Sequence, residues 1–289
     1  MRKLKKKLIA VNTLIGALLF FSCTKAPKPL KLNLPPTGSI TRGAELVEGL
    51  SACAYCHGRE PEPYSPLEGG RKIKDSSGEL FVPNITPSKS GIGSYSLNDI
   101  VKALRENESP KIGRFTSNAH KGYEWLSDYD AFSIALYLKS LKPIEKEVPI
   151  RREGVFHKYT LGLIKQPSKV KGFVPRISRK NQVEWGRYLV DHAARCGFCH
   201  NSPSSLLFNE GYLEGGKIIN TPDGEITVPA LRFNTANPIS SWGVEEIINY
   251  LRTGLTPDGK QVTYCPVNFY KNAGKNDLEA IAVYFKKGL

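Results

Sequence analysis

The pentapeptide Cys53-Ala54-Tyr55-Cys56-His57 returns 143 residues later as Cys196-Gly197-Phe198-Cys199-His200. Two thiols three positions apart share one helical turn, where each can add to a vinyl group of the same porphyrin, and the histidine that follows faces the iron. This is the spacing of a covalent haem c attachment site. Cys53, Cys56, Cys196 and Cys199 are therefore the expected thioether cysteines, and His57 and His200 the expected proximal iron ligands. The competing reading of Cys-x-x-Cys is a zinc or thiol-redox site. Each half-site would then need further partners, and the chain holds only six Cys and five His.

The repetition extends beyond the motif. Glu68-Gly69-Gly70 returns as Glu214-Gly215-Gly216, and Gly78-Glu79 with Val82-Pro83 returns as Gly224-Glu225 with Val228-Pro229. Ile92, Tyr95, Ile100 and Leu104-Arg105 return as Ile239, Trp242, Ile247 and Leu251-Arg252, and Asp130 returns as Asp277. The offset drifts only from 143 to 147, so one domain has been duplicated, over 41–143 and 178–289. The charged stretch 144–177, flanked by Pro143 and holding further prolines, reads as a linker across the surface. Apolar spacing predicts three helices per copy, over 42–52, 97–106 and 128–141, then 183–195, 244–252 and 277–286. Ser127 and Asp130 stand at capping-box spacing at the start of the third. The expected class is all-α: two tandem domains, each with about three main helices around one covalently bound haem c that serves as the apolar centre of a small core.

The N-terminus reads as an export signal. Arg2, Lys3, Lys5, Lys6 and Lys7 precede a largely apolar stretch, Leu8 to Phe21, of 14 residues, too short to span a membrane. Cys23, after the small Ser22, fits a relaxed lipobox in which Phe20 departs from the usual aliphatic residue. The expectation is a lipoprotein-type signal at 1–22, a lipidated Cys23, and a Pro/Lys-rich tether over 23–40, with an uncleaved anchor or simple secretion as alternatives. The formal charge of +14 falls to about +9 without the five signal cations. A solvated basic surface accounts for that. An acidic redox partner or anionic headgroups would use it, and nucleic acid is set aside for an exported haem protein.

On the haem motifs, Val82-Pro83-Asn84-Ile85-Thr86, Gly91-Ile92-Gly93, Leu126-Ser127-Asp128, Trp242 with Glu246-Ile247, and Leu251-Arg252-Thr253-Gly254, both copies resemble class I cytochrome c domains of the di- and multi-haem kind. Similar domains form the cytochrome subunits of periplasmic alcohol and gluconate dehydrogenases and occur in thiosulfate dehydrogenases. The resemblance implies that Tyr95, Arg105, Trp242 and Arg252 lie near haem propionates or edges, with ordinary helix packing as the alternative. It also implies a distal Met in a Met-Pro segment. The only Met here is Met1, inside the signal, so neither iron can take that ligand. Counting back from Asp277 puts Cys265-Pro266 at the Met-Pro position, and Cys265 is the one cysteine left after four haem thiols and Cys23. Cys265 is the candidate distal ligand of the second haem, against a free thiol or a disulfide to Cys23. In the first copy the count falls on Asn118, a poor ligand, and His120 two residues on is the candidate, against Lys121, His157 or an open iron. His192, one turn before Cys196, reads as exposed or as support behind a ligand.

Imidazole and thiolate favour ferric iron more than a thioether does, so two low-potential haems are expected. The leading reading is electron transfer between periplasmic or membrane-bound redox proteins, from a lipid anchor on the periplasmic side of a bacterial membrane, without catalysis by this chain. The alternatives are a thiosulfate dehydrogenase type of enzyme, with Lys260 and Arg252 lining a basic pocket at Cys265, and a haem-based sensor. No Ser-His-Asp set, phosphate loop or dinucleotide fingerprint is present in the sequence.

Overall fold

The computed structural model describes residues 37–75, 78–114, 118–151, 169–203, 210–221, 224–232 and 238–289. The signal at 1–22, Cys23, most of the tether and His157 lie outside them. Helix dominates. Helix α1 (Ile40–Glu45) starts at Ser39, whose hydroxyl accepts from the Arg42 amide, and runs into a π-helical turn, Leu46–Leu50. The motif helix α2 (Ala54–His57) follows, then the hairpin β1 (Lys72–Asp75) and β2 (Gly78–Phe81), helix α3 (Leu97–Arg105), the short pair β3 (Glu108–Ser109) and β4 (Gly113–Arg114), two 3₁₀ turns at Asn118–His120 and Tyr123–Trp125, and helix α4 (Asp128–Ser140).

The second half repeats this order with α5 (Gln182–Tyr188), a π-helical turn at Leu189–Ala193, the motif helix α6 (Gly197–His200), the hairpin β5 (Ile218–Thr221) and β6 (Gly224–Thr227), α7 (Val244–Thr253), the added short helix α8 (Val267–Tyr270) and α9 (Lys275–Lys287). The hairpins pair in matching antiparallel register, Ile73 opposite Leu80 and Ile219 opposite Ile226. The expectation of helix alone misses these hairpins. The two helices expected to run unbroken into the motifs instead end in π turns. At the junction Ala52 (φ 44°) and Arg195 (φ 52°), each directly before a motif, take the left-handed conformation, at a cost of about 1 kcal/mol for a non-glycine residue.

Capping follows local chemistry. Ser96 and Asp99 close a full capping box on α3. The Ser127 hydroxyl accepts from the Asp130 amide, but the Asp130 carboxylate does not reach back, because it is used in the core. Helices α1 and α4 cross in backbone contact: a Cβ on Gly43 would come within 2.1 Å of the Ser133 carbonyl oxygen. The second half repeats the crossing, where a Cβ on Gly186 would come within 2.0 Å of the Ala280 oxygen.

The two halves form one compact unit. At its centre the buried Arg42 donates from Nε to Asp130 (2.9 Å) and from Nη1 to Asp277 of the other half. The Trp185 indole donates to Asp277 (3.0 Å) and the Tyr188 hydroxyl to Asp130 (2.7 Å). Burial works against the charged guanidinium, and the two carboxylates more than offset it, raising the Arg42 pKa above its usual value. The Ser51 hydroxyl donates to the Ala193 carbonyl (3.1 Å) and the Asn272 amide to the Glu48 carbonyl (3.1 Å), tying the π turns across the seam. Described parts of the linker strap the first half: Glu145 accepts from the Lys89 and Ser90 amides, and Arg105 donates to the Gly172 carbonyl.

Arg42→Met leaves two buried carboxylates short of their cation. It is expected to cost about 3–5 kcal/mol of unfolding free energy in a denaturant titration.

Candidate haem sites

Each motif histidine is placed by the loop that follows it. The Gly69 amide donates to the His57 carbonyl (2.9 Å), the Gly70 amide to the Val82 carbonyl (2.8 Å), and the Val82 amide to the Arg71 carbonyl (2.8 Å). This brings the Pro83 carbonyl to 2.8 Å from His57 Nδ1. The second half repeats every bond: Gly215 to His200, Gly216 to Val228, Val228 to Lys217, and the Pro229 carbonyl 2.8 Å from His200 Nδ1. Gly69 and Gly215 sit at φ 66° and 70°, and a Cβ on either would strike the peptide carbon of Pro83 or Pro229 within 2.6 Å. The repeated Glu-Gly-Gly and Val-Pro stretches are thus the device that holds the histidine. A carbonyl only accepts, so Nδ1 carries the proton and Nε2 carries the lone pair. Burial lowers the pKa of both rings, keeping them neutral.

His120 faces His57. The ring centres lie 6.3 Å apart at an interplanar angle of 37°. Two imidazoles binding one metal from opposite sides, each nitrogen about 2 Å away, bring their ring centres about 6 Å apart. The His120 Nδ1 donates to the Ala103 carbonyl (3.0 Å), which again puts the lone pair on Nε2. Burial first, and then the nearby His57, bring its pKa down to about 4. The two rings are therefore spaced as imidazoles sharing one metal would be. Lys121, the nearby alternative, is paired with Glu210 at 2.7 Å.

Cys265 lies beside the second motif. Burial, and next the neighbouring Cys199, push its thiol up to about 12, opposed by a hydrogen bond from the Tyr250 hydroxyl. Helix α8 begins at Pro266 and is anchored by the buried Phe269 and Tyr270, so the position is built rather than loose. A thiol this hard to ionise alone would give up its proton to a metal that replaces it. The donor set fits a second haem with His200 and Cys265. The four motif cysteines form no disulfide with one another, and burial raises the Cys53 thiol to about 12. Among the described residues no group of three or more His, Cys, Asp and Glu side chains is placed to hold a metal ion alone, so no closed zinc site surrounds either motif.

The other expected site residues have these surroundings. Arg105 is buried against Asp128 (2.7 Å) and Gly172, which is packing between α3, α4 and the linker. Tyr95 is buried and accepts from the Lys111 amide, and Trp242 lies edge-on to Tyr250 at 5.2 Å. Arg252 is exposed, and Lys260 is exposed and paired with Asp258 at 2.9 Å. His192 is half-buried and donates to the Gly122 carbonyl (2.9 Å), which corrects the exposed reading. Sequence reasoning passed over Arg195, which reaches from the second motif to the first. Its charge acts on Cys53, Cys56 and Cys199. Tyr55, inside the first motif, feels Cys199 of the second and Cys265 beyond it. The two motifs are neighbours.

No family model matches the chain. It is 31% identical over 242 residues to the fructose dehydrogenase cytochrome subunit of Gluconobacter japonicus, covering 80% of this chain and 47% of that protein. It is 28% identical over 263 residues to a diheme c-type cytochrome of Cereibacter sphaeroides, covering 87% and 86%. The cytochrome c subunit of the quinone alcohol dehydrogenase of Gluconobacter oxydans is 29% identical over 232 residues, covering 74% and 47%. The chain is a c-type cytochrome of this class. It spans about half the length of the two dehydrogenase subunits and most of the diheme protein.

Within this cytochrome, Glu68 secures the loop that carries Gly69. The Arg59 fork at 2.7 and 3.1 Å, together with Lys146, pulls its pKa down to about 2 against the push of burial. The folded-state pKa lies below the ordinary 4.5, so this contribution to stability is complete above pH 4.5 and is lost as pH falls toward 2. Glu68→Gln is expected to unfold at lower denaturant concentration at pH 7 and to lose less stability across that acid window, as read by denaturation at a series of pH values.

Proposed function

We propose that the chain carries two haems c in two tandem class I cytochrome c domains, 41–143 and 178–289, joined by the linker 144–177. Cys53 and Cys56 would hold the first haem, with His57 and His120 as the side chains offered to its iron, and Cys196 and Cys199 would hold the second, with His200 and Cys265. The observation that carries the reading is the 6.3 Å opposition of the His57 and His120 rings. A bound haem supplies a one-electron iron couple. The protein's own groups do the rest. His57, His120 and His200 offer neutral Nε2 atoms fixed by carbonyls at Nδ1, and the buried shell excludes water. Cys265 brings a sulfur that, once deprotonated, adds negative charge and favours ferric iron. Both centres therefore titrate below His/Met cytochromes, the second lowest.

The function is relay between periplasmic or membrane redox proteins, with the two motifs close enough to exchange electrons within one chain. Cys23 carries the lipid that anchors the chain on the periplasmic side of a bacterial membrane. Among the described residues no helix is long and apolar enough to cross a membrane. The exposed positions of Arg252 and Lys260 give no support to an anionic sulfur substrate at Cys265.

Low-temperature electron paramagnetic resonance of the oxidised protein tests the ligands. One His/thiolate signal and one bis-imidazole signal are expected, with Cys265→Ala abolishing the first alone. A spectrum unchanged by that substitution removes Cys265 from the iron. Cys23→Ala is expected to release the chain from the membrane fraction.

A further inference from the structure

The turn that carries His120 belongs to the first half in sequence and is held by the second. Nη1 of Arg195 donates to the carbonyls of Ala119 and Lys121, the residues on either side of His120, at 3.3 Å for the latter. Its guanidinium lies 3.9 Å from the centre of the Tyr123 ring, and that ring is 5.7 Å from the His120 ring. His192, on the π turn just before Arg195, donates to the Gly122 carbonyl at 2.9 Å. Gly122, at φ 104°, presses so closely on the second half that a Cβ there would lie 3.0 Å from both Arg195 Cγ and the Asp191 carbonyl oxygen. Lys121 closes the clamp through Glu210 at 2.7 Å.

The clamp runs one way. The residue at the equivalent place before the first motif is Ala52, with the same left-handed backbone and no side chain to reach anything. Arg195 holds that conformation although glycine would adopt it without strain. What the arginine adds is its fork across the seam.

We infer that Arg195 is a positioning residue for His120, so that the second half sets the distal side of the first haem site from the residue next to its own thioether cysteine. The inference rests on the proposed ligation of the first iron by His120. Its consequence is that His120 stays at its ligand position only while the two halves are docked.

Three variants of the full haem-loaded protein test it, each checked for two covalent haems by pyridine haemochrome absorbance: H120A, R195M and H192A. The readouts are electron paramagnetic resonance of the oxidised form and carbon monoxide binding by the reduced form. H120A is expected to lose the bis-imidazole signal and to bind carbon monoxide at one haem. R195M is expected to lose part of the same signal and to gain a carbon monoxide-binding haem, with the His/thiolate signal intact. H192A is expected to show the same change in smaller measure. If H120A opens the iron while R195M and H192A both match the wild type, the positioning role is overturned and the ligation stands. If H120A itself changes nothing, the ligation falls and the inference with it. Should R195M fail to take up haem, H192A decides.

Discussion

An imidazole nitrogen that donates to a backbone carbonyl cannot also offer a lone pair, so the hydrogen bond at Nδ1 decides which face of the ring is left for a metal. His57, His200 and His120 all make this bond, to Pro83, Pro229 and Ala103. Much of each half serves it. The hairpin strands β1–β2 and β5–β6 carry the prolines to their places, the left-handed glycines let the loop pass against the proline peptide, and burial keeps the rings neutral. A side chain at Gly69 or Gly215 would therefore disturb the histidine without touching it.

The second constraint is the charge buried between the halves. Arg42 and Trp185 stand at equivalent positions of α1 and α5, and each donates to the aspartate of a last helix. Arg42 also reaches the other half's Asp277, and Tyr188 reaches back to Asp130. Two carboxylates and a guanidinium held out of water are tolerable only when all three are paired, so sliding one half over the other would cost several kcal/mol. This network sits beside an apolar core shared by both halves, and together they hold the seam.

The helices and the repeated order of elements were legible because they leave local marks: apolar stripes, caps and a constant offset. The repeat of Glu-Gly-Gly and Val-Pro was visible as well, but its meaning was not, since a hydrogen bond between residues 26 positions apart has no periodic signature. Gly43 and Gly186 passed unnoticed for the same reason, because a glycine that admits a crossing helix looks like any other. The π turns and the left-handed Ala52 and Arg195 contradict the smooth helices that composition suggests there. Arg105 and Arg252 looked alike in the repeat, yet one is buried against Asp128 and the other is exposed. Equivalent positions after duplication share backbone geometry and are free to differ in what their side chains do.

That freedom is the origin of the two distal sides. On the proposed ligation, the first iron would meet two neutral nitrogens and the second a nitrogen and an anionic sulfur. The added negative charge would stabilise the oxidised form at the second site. The Arg195 cation lies between the motifs and acts on Cys53, Cys56 and Cys199 alike, so the difference rests on the distal ligands. The motifs are electrostatic neighbours through Tyr55 and Arg195, so this bias would act within one chain. Duplication alone would have given two equal centres that exchange electrons without preference. On the proposed ligation, a sulfur in place of one distal nitrogen would be enough to give the path a direction.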